Sequence, residues 1–316
     1  MRRGGGGYSE RFGQAVIVAF TAVVLGSCTD GPVGVRDVVS EERSVEVLGT
    51  SRAYRLFVPE GLDLATPHPL VFVFHGATQS ASGAELMSWF YPTAEAQGLI
   101  VAFPQAAGDY WNTPASPSGY WGVPDVPFVD AMIEDIAGQR SIDLDRIFAA
   151  GFSNGAVFAQ VVGCLRSGSI AGIAVVGAGI SAEVADGCPW ERPMPVAVFL
   201  GDRDPQFFWD DGAAAGLGML GGAGSANWLA EQNGCAGEPE VIALPPEEGG
   251  SATSVELFRY RGCTGAPVDF YRIRGGGHTW PGSPLNFSAE LGRKTRAVSA
   301  TETMTSFFLM HTGGAR

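Results

Sequence analysis

The chain has 316 residues, 46% of them hydrophobic, and a formal net charge of −13 from 33 acidic against 20 basic residues. That length suits one large α/β domain or two small ones and supplies ample apolar material for a core. The acidic balance repels phosphates, so no nucleic-acid partner is expected.

In chain order, Arg2, Arg3 and Arg11 precede a short apolar run, QAVIVAFTAVVLGS, from Gln14 to Ser27. The run is too short to span a bilayer comfortably as a permanent helix and has the form of a secretory signal peptide. It ends in Leu25-Gly26-Ser27-Cys28, which resembles a bacterial lipobox. Residues 1–27 are therefore expected to be a signal peptide, with Cys28 lipidated and holding an exported protein to a membrane face. An ordinary cleaved signal with an incidental cysteine leaves the protein secreted or periplasmic instead. Residues 28–43, charged and bearing Gly and Pro, read as a tether. The remainder, 44–316, reads as one catalytic domain.

SVEVLG and SRAYRLFVP alternate polar with β-branched or aromatic residues, which predicts an antiparallel pair at a sheet edge. Short, continuous apolar runs follow: PLVFVFHG, LIVAFPQ, RIFAAG, IAVVGAG, PVAVFLGD and VDFYRIRGGG. Helical spacing appears between several of them, in FVDAMIEDIAGQRS, in the stretch after Ser153 and in SANWLAEQNG, and RAVSATETMTSFFLMH predicts a closing helix. Buried strands alternating with helices predict a mainly parallel central sheet with helices on both faces and an antiparallel N-terminal edge. With Cys28 set aside, four cysteines remain; three pairings are possible, and sequence order favours Cys164 with Cys188 and Cys235 with Cys263.

The chemistry concentrates in three places. After the strand RIFAA comes Gly151-Phe152-Ser153-Asn154-Gly155 and then a helical segment: G-x-S-x-G between strand and helix. A sharp turn there presents the serine hydroxyl at the sheet's carboxyl end, while the helix N-terminus offers free amides and a positive dipole where an oxyanion would form. A serine needs a base. Of four histidines, His68 lies ahead of a strand, His75 ends one and His311 ends the last helix, whereas His278 stands in the loop GGGHTWPG after VDFYRIR. Its glycines are expected to give that loop the freedom to bring the imidazole over Ser153. A carboxylate should orient the base. PVAVFLGDRDP offers Asp204, the preferred choice, and Asp202, with Asp210 and Asp211 as outsiders. The order Ser153, Asp204, His278 is that of an α/β-hydrolase. The loop after an early strand, His75-Gly76-Ala77, points to the backbone amides of Ala77 and Asn154 as oxyanion donors.

YRLFVP, LVFVFHG, LIVAFPQ, RIFAAGFSNGA, FLGDRDP and RGGGHTWPG together resemble the exported polyhydroxybutyrate depolymerase and feruloyl esterase family, in particular its LpqC-like lipoprotein branch, over residues 44 to about 311. The resemblance implies an α/β-hydrolase fold and a serine carboxylesterase with Ser153, Asp204 and His278 as its triad. It also supports the disulfides, because NGC and RYRGC look like a paired position. It implies no cofactor, no metal and no obligate protein partner; the substrate would be a small-molecule or oligomeric ester. The sequence departs from the pattern after the acid, where QFFWDDGAAAGLGMLGGAGSA replaces a valine-rich stretch and a tyrosine. Trp280 and Trp111 are the preferred aromatic candidates for a substrate cleft, with Trp121 and Trp209 behind them. A non-catalytic surface binding protein on the same fold, and a serine peptidase, are the alternatives.

Overall fold

The computed structural model of the chain describes residues 40–63, 65–113, 125–188, 192–247, 250 and 252–311. Cys28, Trp121 and the signal-peptide and lipid-anchor expectations lie outside these residues.

The first hairpin pairs β1 (Glu41–Val47) with β2 (Thr50–Phe57), antiparallel, from Glu41 opposite Leu56 to Val47 opposite Thr50. β1 opens three residues ahead of the expected domain boundary at 44, because its charged residues do structural work. Arg43 meets Asp135 at 2.8 Å and Glu41 takes a bond from Arg140 at 2.7 Å. The polar stretch read as the end of a tether is thus an outer strand fastened by ion pairs.

The central strands are β3 (His68–Phe74), β4 (Ile100–Pro104), β5 (Ile142–Phe152), β6 (Gly172–Val176), β7 (Val196–Gly201) and β10 (Val268–Arg274). Their near-continuous burial reflects a sheet covered on both faces. Two further strands, β8 (Glu240–Ala243) and β9 (Ser254–Tyr260), complete a ten-stranded sheet ordered β1-β2-β4-β3-β5-β6-β7-β10-β9-β8. The six strands from β4 to β10 are mutually parallel, while β1 and β2 at one end and β9 and β8 at the other run antiparallel. The expected antiparallel N-terminal edge is present, and a second one closes the C-terminal side.

The helices are α1 (Ala81–Ser88), α2 (Tyr91–Gln97), α3 (Asp125–Ala137), α4 (Asn154–Leu165), α5 (Ala182–Gly187), α6 (Asp211–Ala215), α7 (Gly222–Gln232) and α8 (Ala300–Met310). α4 is apolar all round and almost wholly buried, as a helix under a central strand must be. Its Phe158 packs edge-on against Phe74 of β3, and α8 docks by stacking Phe308 on Phe148 at 4.5 Å. Each such ring contributes about 2–3 kcal/mol by leaving water. Disulfides join Cys164 to Cys188 and Cys235 to Cys263, closing loops with separations of 24 and 28 residues, each on the order of 3 kcal/mol by chain entropy. The first pins α4 to the end of α5, the second pins the end of α7 to the turn after β9. Layers, strand order and crossovers make this an α/β-hydrolase fold.

Candidate active site

β5 delivers Ser153 to the carboxyl end of the sheet, and the residue adopts φ 55°, ψ −122°. A non-glycine residue there stores about 1–3 kcal/mol, which the surroundings must hold. They do so through backbone bonds: Ser153 N–H donates to Val176 at 2.9 Å, and its carbonyl accepts from Ala156 and Val157. The flanking glycines follow from crowding. A Cβ on Gly151 would lie 2.1 Å from the Gly155 oxygen, and one on Gly155 would lie 2.3 Å from the Phe74 oxygen. G-x-S-x-G is therefore the sequence record of α4 crossing directly over β5 and β3.

His278 Nδ1 lies 2.8 Å from Asp204 Oδ2, and both residues are buried. The other carboxylate oxygen of Asp204 accepts from the amides of Gln206 and Phe207 at 2.8 and 2.9 Å. An acceptor so held fixes the hydrogen on Nδ1 and leaves Nε2 as a proton acceptor. The imidazole is bracketed by Phe152 at 4.7 Å and by a nearly parallel Phe207 at 5.6 Å, and it sits against Gly177, the residue after the strand end that binds Ser153. Asp202 does something else: its carboxylate receives Arg272 at 2.9 Å and the Gly275 amide at 2.7 Å, tying β10 to the start of the histidine loop. Asp210 caps α6 through the Ala213 amide, and Asp211 accepts from Gly224.

The glycines before His278 act by close approach rather than by freedom. The loop lies between two neighbouring segments: Arg203 N–H donates to Gly276, Gly277 N–H to Arg293, and His278 N–H to Leu291 at 2.6 Å. A Cβ on Gly277 would meet the Leu291 oxygen at 2.0 Å.

On the other side, the amides of Ala77 and Asn154 find no acceptor among the described residues. The loop carrying Ala77 is fastened by the buried His75. Its Nδ1–H donates to the Gly76 carbonyl at 2.7 Å and its Nε2 accepts from Ala106 N–H at 3.1 Å. Burial holds this imidazole below its usual pKa, against a smaller opposing pull from the Gly76 carbonyl. Asn154 is anchored in turn: its Oδ1 accepts from Trp111 N–H at 2.7 Å and its Nδ2 donates to Thr113. The same segment is held from below, with Asn112 N–H on Asp125 and Asp125 on the buried Arg52. This relay had no motif to announce it.

Two expected cleft residues are elsewhere. Trp111 is fully buried, stacked on Phe158 with its indole N–H on the His75 carbonyl at 2.9 Å, and Trp280 is fully buried with its indole N–H on Thr301. Both are packing residues, because each ring is buried from solvent and has a partner for its one donor. Trp209, half-buried, packs against Phe270 and under the Arg272 guanidinium. The rings against the base are Phe207 and Phe152, and Phe287 lies 6.4 Å from Phe152. The QFFW run after Asp204 was the signal for the first of these.

No family model matches the chain. Among curated relatives it is 29% identical over 291 residues to a putative esterase, NocK, from Nocardia uniformis subsp. tsuyamanensis, covering 87% of this chain and 84% of that one. It is 30% identical over 235 residues to a probable feruloyl esterase C from Aspergillus clavatus, covering 73% and 77%. Among solved structures it superimposes on a thermostable esterase with a TM-score of 0.55 at 16% identity, spanning 86% of this chain and 63% of that one.

Proposed function

The chain belongs to the family of the feruloyl esterases and hydrolyses esters, and from that premise we propose that it is a serine carboxylesterase working through an acyl-enzyme on Ser153. The observation that carries this reading is the buried His278–Asp204 pair at 2.8 Å beside a serine held at positive φ on the end of β5. His278 Nε2 takes the hydroxyl proton as Ser153 Oγ attacks the ester carbonyl. The oxyanion is received by the amides of Ala77 and Asn154, the latter at the positive end of α4. The carbon–oxygen bond to the alcohol then breaks, and the proton on His278 passes to the departing oxygen. Water gives a proton to the same base, attacks the acyl-enzyme and releases the acid, and the proton returns to Ser153.

Asp204 keeps the imidazole in the useful tautomer and stabilises the imidazolium that forms between steps. Phe152 and Phe207 exclude water from the imidazole faces, which strengthens the short contacts around it. The substrate is a small or oligomeric ester with a short or aryl acyl group, such as a hydroxybutyrate oligomer or a feruloylated or acetylated sugar. Phe207 and Phe287 offer an apolar surface to such a group. The two disulfides suit an oxidising compartment. With the signal-like N-terminus and Cys28, they support export and lipid anchoring.

The test is turnover of a panel of short-chain, feruloyl and hydroxybutyrate esters by the protein beside its Ser153→Ala and His278→Ala variants, with fluorophosphonate labelling of the same samples. Turnover lost in both variants and label confined to Ser153 are the expected results. An inactive, unlabelled protein overturns the reading.

A further inference from the structure

Beside the histidine loop lies a cleft of about 380 Å³ lined by Glu247, Gly250, Ala252, Thr253, Arg293, Lys294 and Arg296. Its charge runs against that of the molecule. Ten described arginines form ion pairs with aspartate or glutamate in a chain whose net charge is −13. Among the described residues, Arg293, Lys294 and Arg296 have no such carboxylate, although they stand within four positions of one another. Lys294, the chain's only lysine, is fixed in place by the carbonyls of Ser283 and Leu285, each at 2.5 Å. Burial, and then the nearby Arg296, push its ammonium below the usual lysine range, against a weaker pull from Glu247. Among the described residues Glu247 is the carboxylate lining the cleft, and it is engaged by the Arg296 backbone amide at 3.4 Å.

The position of this cleft relates it to the reaction. Arg293 is part of the segment that holds the base in place: its carbonyl accepts from Gly277 N–H, and Gly276 pairs with it as an isolated bridge. Ala252 and Thr253 lead into β9, whose Ser254 pairs with Arg274 at the carboxyl end of β10, directly before the loop. The departing alcohol oxygen must collect its proton from His278, so the alcohol portion of an ester leaves on the His278 side. Excess positive charge on that side favours an alcohol portion bearing a negative group.

We propose that this cleft is an anion subsite, taking a carboxylate carried on the alcohol portion of the ester, away from the scissile bond. The proposal rests on the esterase reading above and names the substrate class for it: esters whose leaving alcohol is itself an acid. Two sources share that chemistry, an oligomer of hydroxy acids ending in a free carboxylate and an esterified uronic acid.

The experiment uses the full chain, two matched pairs and a neutral reference at low ionic strength: hydroxybutyrate trimer against its methyl ester, acetylated galacturonate dimer against its methyl ester, and 4-nitrophenyl butyrate. The wild type should favour the free acid of at least one pair, and the pair favoured identifies the source. The preference should shrink with added salt, because exposed charges are screened within about 8 Å at physiological ionic strength. Arg296→Ala should raise KM for the free acid by up to about fivefold, the scale of an exposed charge pair, with kcat unchanged. The same variant should leave 4-nitrophenyl butyrate turnover as in the wild type. Equal treatment of acid and methyl ester by the wild type, or equal loss on both in the variant, overturns the subsite. Calorimetric binding of the free-acid trimer and of its methyl ester to Ser153→Ala keeps the question separate from catalysis. If no ester turns over yet the acid binds in preference and Arg296→Ala weakens that preference, the esterase reading fails while the anion site stands.

Discussion

The turn around Ser153 and the loop around His278 both depend on glycine, but the glycines answer different neighbours. At the turn, Gly151 and Gly155 make room for each other and for β3, all within one strand–turn–helix unit and the strand beside it. At the loop, Gly277 makes room for Leu291 and Gly292, and Gly201 at the end of β7 makes room for the carbonyls of Gly276 and Gly277. The turn is therefore local in part, where Gly151 answers Gly155, and it carries its own signature, although Gly155 also answers Phe74 on β3. The loop is a tertiary one, correct only if three separate stretches of chain arrive together.

Breaking the turn's chemistry should have the largest effect. Ser153→Ala is expected to lower kcat by about 10⁶-fold with an unchanged melting curve, measured on the best ester of the panel. On the loop side, Asp204→Asn should cost about 10⁴-fold in kcat, because the amide reverses the hydrogen bond that sets the tautomer. Asp202→Asn should cost less than about tenfold, since it weakens the Arg272 ion pair and leaves an acceptor for Gly275. Similar losses from the two aspartate variants would mean that the loop, and not the orienting carboxylate, is what both disturb.

The glycines sharpen the contrast further. Gly155→Ala should destabilise the whole domain by about 3 kcal/mol, a fall of roughly 6–12 °C in melting temperature, because its Cβ runs into backbone. Gly277→Ala should lower kcat by about 10²-fold while moving the melting temperature less, since a shift of His278 by about 1 Å suffices. The smallest effect concerns His75. Its folded-state pKa is depressed, so the unfolded chain binds the extra proton first as pH falls below the ordinary histidine value of 6.5. Its contribution to stability is present above that value and is lost as pH falls through the folded-state value, so the melting temperature should drop between pH 7.5 and 5. His311, also depressed by burial, adds in the same direction. A His311→Gln variant should keep most of the slope, because His75 is the more deeply buried of the two.

The sequence was most readable where physics acts at short range. The continuous apolar runs marked β3 to β7 and β10, because strands covered on both faces need apolar side chains at every position. α3, α4, α7 and α8 showed their spacing for the same reason. α1, α2, α5 and α6 were missed: each is eight residues or fewer, and Ala- and Gly-rich segments such as ASGAELMS or DGAAA have too little apolar contrast to show a period. β9 alternates in SVELFRY and was legible in principle, but its partner EVIA is four residues long and mostly exposed, so the C-terminal hairpin had no clear pair. In the site, residue types and order sufficed to nominate Ser153, His278 and a choice of two aspartates. Deciding how Asp202 and Asp204 differ took the hydrogen bonds to Arg272 and His278, which join positions some seventy residues apart. The tryptophans misled because a large ring near a motif is as often filling space behind it as standing in front of it.

The two outermost strands carry a further consequence. β1 presents Glu41, Glu42, Arg43 and Glu46 along its length, and β8 offers only four residues beginning with Glu240. Another molecule seeking to extend the sheet would have to lay its backbone against a row of charges at one end, or against too short a ladder at the other. A ten-stranded sheet, rich in the apolar β-forming segments that drive fibrous aggregation, is in this way blunted at both rims.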